Sequence, residues 1–136
     1  MFCILIRRCS KSDEIIVSNG GKQVIFNALQ STINRGDEVI IISPYWVSYP
    51  DIVLLAGANP IVIECSEEQG FKLSAKDLEA KITNNTKWLI LNSPSNPTGA
   101  CYTELEIKNL SQVLKRNLAK LEHSCLFTHF LPFFTI

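Results

Sequence analysis

The chain has 136 residues, a length for one domain that buries roughly two-thirds of its unfolded surface. Hydrophobic residues make up 46% and charged residues 19%, which excludes a disordered, charge-rich chain. Thirteen basic and thirteen acidic side chains cancel, so bulk charge makes no case for a nucleic-acid or anionic-membrane partner.

The N-terminal "MFCILIRRCSK" has its positive charges after a short apolar stretch, the reverse of a signal peptide. No run reaches the roughly 18 apolar residues of a membrane-spanning helix. From Glu14 the pattern becomes regular. "EIIVS" (14–18) reads as a strand. "GGKQVIFNALQSTINRGDE" reads as a helix, with Val24, Ile25, Ala28, Leu29 and Ile33 near a 3.6-residue period and Gly36 placed as its C-terminal cap. "EVIIIS" (38–43) is a continuous apolar strand, the kind a parallel sheet buries on both faces. A loop (43–50), a short helix (51–58) and the strand "PIVIEC" (60–65) follow.

"LSAKDLEAKI" (73–82) reads as a helix with Ser74 at its N-cap and Asp77 three residues on. "TKWLILNS" (86–93) is another buried strand. "TELEIKNLSQVLKR" (103–116) is an amphipathic helix, with Thr103 as N-cap, Glu104 and Glu106 in its first turn, and Lys115 and Arg116 in its last. Strand and helix alternate, which implies a doubly wound α/β sheet, mostly parallel, with flanking helices. Ligands of such sheets sit at the carboxyl ends of the strands.

Three polar loops follow strand ends. "SNGGKQ" (18–23) opens a helix with two glycines and a lysine. Free N–H groups there suit an anion, and a tight strand-to-helix turn explains the same residues. "SPYWVSYP" (43–50) sets Trp46 where it can stack on a flat ligand or, with Tyr45, cap the sheet. "NSPSNPTGA" (92–100) carries two amides, Asn92 and Asn96. Its prolines, Pro94 and Pro97, keep Ser93 and Asn96 out of helical conformation. It is a rigid ligand wall or a proline-stabilised turn.

Taken in order, the three loops resemble those of the fold-type I, pyridoxal-phosphate-dependent aminotransferases. The bacterial aspartate aminotransferases, some of which also accept prephenate, are the most similar members. The resemblance implies an incomplete large domain over 14–117. A divergent segment (1–13) precedes it, and an apolar tail (118–136) reads as out of frame. It also implies that Gly21, Lys22 and Gln23 line the phosphate of pyridoxal 5′-phosphate, mainly through backbone N–H groups. Trp46 would stack on the pyridine ring. Asn96 would donate to the cofactor's phenolic oxygen, and Trp46 and Asn96 would contact substrate. Cis peptide bonds are expected before Pro44 and Pro97. An amino-acid or 2-oxo-acid substrate and a homodimer follow from the family. Five scattered cysteines without a CxxC favour a reducing cytosol, so a cytoplasmic location is expected.

Three family groups find no match: the lysine that links to the cofactor, the Asp-x-x-Tyr aspartate, and the arginines that clamp substrate. The last aspartate is Asp77 and the last arginine Arg116, while Lys120 stands in an unrelated context. No catalytic residue is therefore assigned, and the chain is expected to be inactive alone. The alternative is a non-catalytic piece that pairs with an aminotransferase subunit. His123, Cys125 and His129 are not spaced as a metal site. An unrelated nucleotide-binding domain would need a GxGxxG or P-loop signature, and neither is present.

Overall fold

Two apolar runs, the β-branched Val39–Ile42 and the mixed Trp88–Leu91, set the frame, because such side chains pack well on a pleated surface. The computed structural model describes residues 3–5, 16–117 and 127–128. Apart from Cys3–Leu5 and Phe127–Thr128, the segments 1–13 and 118–136, with His123, Cys125 and His129, lie outside the described residues. The elements in chain order are β1 (Cys3–Leu5), β2 (Ile16–Ser18), α1 (Gly21–Thr32), β3 (Glu38–Ser43), α2 (Ser48–Leu55), β4 (Asn59–Glu64), α3 (Ala75–Lys81), β5 (Thr86–Asn92), α4 (Glu104–Arg116) and β6 (Phe127–Thr128).

The main sheet has the order β4-β3-β5-β6, all parallel. β1 and β2 form a separate antiparallel pair. Side chains alternate along each strand, so the sheet serves two cores. Val39, Ile41, Trp88 and Ile90 pack against Ile25 and Leu29 of α1 and Tyr49, Ile52 and Val53 of α2. Ile40, Leu89 and Leu91 pack against Leu78 of α3 and Leu110, Val113 and Leu114 of α4. Helices thus cover both faces, as a doubly wound sheet requires.

Two helices begin where their polar residues dictate. The Ser74 hydroxyl accepts from Asp77 N at 3.1 Å and caps α3. Thr103 and Glu106 form a reciprocal capping box on α4. Elsewhere the structure corrects the expected boundaries. α2 starts at Ser48, three residues early, because Pro50 is tolerated in a helix's first turn. α1 ends at Thr32 and turns extended at Ile33, so Gly36 is not its cap. Asp37 is the cause: its carboxylate accepts from Asn34 N at 2.8 Å and its N–H donates to Asn34 O. That closed turn replaces a further helical turn. Gly36, at φ +94°, lies within it and donates its N–H to Gly57 O.

Candidate functional site

The loops after β2, β3 and β5 meet at one end of the fold. Lys22 Nζ lies 4.8 Å from the centre of the Trp46 ring, a cation–π contact between the first and second loops. Trp46 meets Tyr49 edge-on, with ring centres 5.6 Å apart and planes at 84°. Ser95 and Asn96 of the third loop share a small cavity wall with Pro44, Tyr45 and Tyr49.

The first loop opens α1 beside open space. Gly20 has φ +100° and ψ 160°, a conformation closed to other residues. A Cβ built there finds nothing within 4 Å, so this backbone borders open space. The Gln23 side chain accepts from Asn19 N at 2.7 Å and holds the turn onto the helix. No side chain caps α1, and no acidic residue stands in its first turn. The N–H groups of Gly21, Lys22 and Gln23 have no acceptor among the described residues. Such groups, at the positive end of a helix dipole, favour a phosphate or carboxylate.

In the second loop the Ser43–Pro44 bond is cis. Trp46 is half-buried and packs with Tyr45 against the α1/α2 core. Its ring is therefore held by packing and still partly open.

In the third loop Ser93–Pro94 and Asn96–Pro97 are both cis. Those before Pro44 and Pro97 were expected from the resemblance; that before Pro94 was not. The loop closes on itself through Ser95 N to Ala100 O at 2.9 Å and Gly99 N to Ser95 O at 2.7 Å. Asn96 is exposed at the rim. Asn92 is different. Its Oδ1 is buried and has no hydrogen-bond partner among the described residues. The Tyr102 hydroxyl accepts from Leu73 N at 2.7 Å, and burial pushes its pKa up to about 12.

Among the acidic groups, Asp51 of α2 stands at this rim and lines an open cavity with Asn19, Lys22 and Gln23. Glu106, in the first turn of α4, is paired with Lys72 at 2.6 Å. The Lys72 ammonium, then the Thr103 N–H, pull its carboxyl from 4.5 down to about 2. Burial, then the Asp77 carboxylate, push the Cys65 thiol up. Sequence reasoning gave Asn92 only as one of two amides and passed over Tyr102. Their shared cavity arises from packing among segments distant in the chain, which no local pattern records.

A parallel, doubly wound sheet with an anion cradle, an aromatic plate and an amide at its carboxyl end defines a class. The family model of class I and II aminotransferases matches residues 6–121, and the chain belongs to that family. The family depends on pyridoxal phosphate. A probable aspartate/prephenate aminotransferase of Rickettsia bellii is 59% identical over 105 residues, which are 77% of this chain and 26% of that protein. The aspartate/prephenate aminotransferase of Cereibacter sphaeroides is 58% identical over 104 residues, 76% of this chain and 26% of that one. The crystal structure of the Rhizobium meliloti aspartate aminotransferase superposes with a TM-score of 0.81 at 45% identity, over 86% of this chain and 28% of that chain. The chain thus spans about a quarter of the length of the relatives it matches. Its fold is part of the large domain of a fold-type I aminotransferase.

Proposed function

We propose that this chain is the cofactor-holding part of an aspartate aminotransferase, which moves an amino group between L-aspartate and 2-oxoglutarate. The observation that carries this is the uncapped start of α1, joined by the Lys22–Trp46 contact to the second loop, whose Pro44 and Tyr45 line a cavity with Asn96. The residues present fit pyridoxal 5′-phosphate. Gly21, Lys22 and Gln23 offer three N–H groups to its phosphate, and Gly20 lets the backbone come close. Trp46 offers a flat ring and Asn96 an exposed amide, for the cofactor's ring and phenolic oxygen and for substrate. When bound, the cofactor supplies the electron sink that amino transfer needs. The chain's own residues bind and orient; none is assigned to move a proton.

The unit that does this is 14–117, acting in the cytoplasm and, in the family, as a homodimer. Alone it is inactive, because none of its lysines, Lys22 at the rim included, stands in the family's Schiff-base context. Titration with pyridoxal phosphate should show saturable binding, weakened about tenfold or more in Gly20→Ala. Borohydride treatment should leave no single stoichiometrically modified lysine, and aspartate with 2-oxoglutarate should not be converted. One such lysine, or turnover free of host transaminase, would overturn the inactive reading. Unsaturable binding would overturn the cofactor reading.

One observation favours a second role, pairing with an aminotransferase subunit. Val47 is 74% exposed, Leu55 70% and Leu54 57%, an apolar set on and beside α2. Size-exclusion chromatography with and without an intact aspartate aminotransferase tests it; separate elution at micromolar concentration excludes it.

A further inference from the structure

Asn92 closes β5, at the start of the loop that carries Asn96. Its Oδ1 is buried without a donor among the described residues. Leaving such an oxygen unmet costs roughly 1–3 kcal/mol, so buried amides are almost always paired with protein or water. The cavity it borders has a volume of about 10 Å³. That is the space of one water, for which about 10–15 Å³ is needed.

A water also needs polar partners beyond one oxygen. Tyr102 lines the same cavity. Its hydroxyl already accepts from Leu73 N. A phenol has one proton to give, and no acceptor for that proton lies among the described residues. The raised pKa keeps that proton in place at all ordinary pH. Asn92, with an unmet acceptor, and Tyr102, with an unused donor, thus line one cavity of single-water volume. Ser95 and Asn96 form part of its wall.

We propose that this cavity is a binding site for a single ordered water, which donates to Asn92 Oδ1 and accepts from the Tyr102 hydroxyl. The water ties the first residue of the loop to Tyr102 at its far end. Asn96 lies between them, so Asn92 is a positioning residue for Asn96. The site exists with or without a cofactor, so its test is separate from that of the proposed function.

Crystal structures of the wild-type chain and of Asn92→Leu decide it, because leucine keeps the shape and removes the acceptor. Wild type should show one water at about 2.7–3.2 Å from both atoms, and Asn92→Leu should lose it. In solution, the side-chain amide resonances of Asn96 should shift in Asn92→Leu and stay in place in the remote Thr86→Val, a readout that loss of stability alone does not produce. Tyr102→Phe provides a second removal if Asn92→Leu does not fold, and it should also lose the water. An empty wild-type cavity, a protein donor on Asn92 Oδ1, or a water that survives both substitutions overturns the site. Unmoved Asn96 resonances overturn the positioning role.

Discussion

The two ends of the central strands are built on opposite rules. At the amino end, the threonine, asparagine and glutamate groups satisfy one another, and among the described residues only the Trp88 indole N–H is buried there without a partner. Thr83 and Thr86 both donate hydroxyl protons to Glu38, and the Thr83 N–H donates to Thr86 Oγ1 at 2.9 Å. Asn85 N donates to Thr83 Oγ1 at 3.0 Å, and Glu38 N donates to Asn85 O at 2.8 Å. At the carboxyl end, three N–H groups of α1 and the Asn92 oxygen have no partner among the described residues, and the Asn96 amide is exposed. One end has used its hydrogen-bonding capacity on the fold. The other has kept it for something else. Stability and binding are therefore expected to separate along a single sheet.

Mutations can break that separation or sharpen it. The largest effect is expected midway between the ends. Ile41 is fully buried, and Ile41→Ala should destabilise by about 2–5 kcal/mol, read as a lower denaturant midpoint. Next is Thr86→Val at the closed end. It strips Glu38 and Thr83 of a partner in a residue 2% exposed, for about 1–3 kcal/mol. Pyridoxal phosphate affinity should stay within twofold of wild type. Gly20→Ala at the open end should give the mirror image. It costs about 1–3 kcal/mol through its positive φ, and it also lowers cofactor affinity. If Thr86→Val weakens binding as much as Gly20→Ala, the two ends are not separate.

The smallest effect is electrostatic and lies off this axis. The Glu106 carboxyl sits near 2 in the folded chain against an ordinary 4.5. Its contribution is thus present above about pH 4.5 and is lost as pH falls towards 2. The pair is partly exposed, so the contribution is under about 1 kcal/mol. Glu106→Gln should flatten this part of the stability-against-pH curve and leave cofactor affinity unchanged.

The sequence pattern made the frame legible because the frame is written locally. β3 and β5 are continuous apolar runs, and Ser74 and Thr103 announce their helices through side chains three residues away. The start of α2 and the end of α1 were harder to read. There Pro50 permitted a helix that it could equally have blocked, and Asp37 closed a turn against the next helical one. The three loops were legible as motifs, and their common end followed from strand polarity. That Lys22 lies on Trp46, or that Asn92 and Tyr102 share a cavity, depends on how distant segments pack. Spacing in the sequence carries no record of that.

The alternation of β3 and β5 between two helix layers has a consequence for how such a gene can change. Either strand tolerates an exchange of one apolar side chain for another of similar size, since each residue answers to one layer. A single inserted or deleted codon inside either strand is another matter. It turns every following side chain to the opposite face and mismatches both layers at once. Length variation among descendants of this sequence should therefore collect in the connections and stay out of residues 39–42 and 88–91.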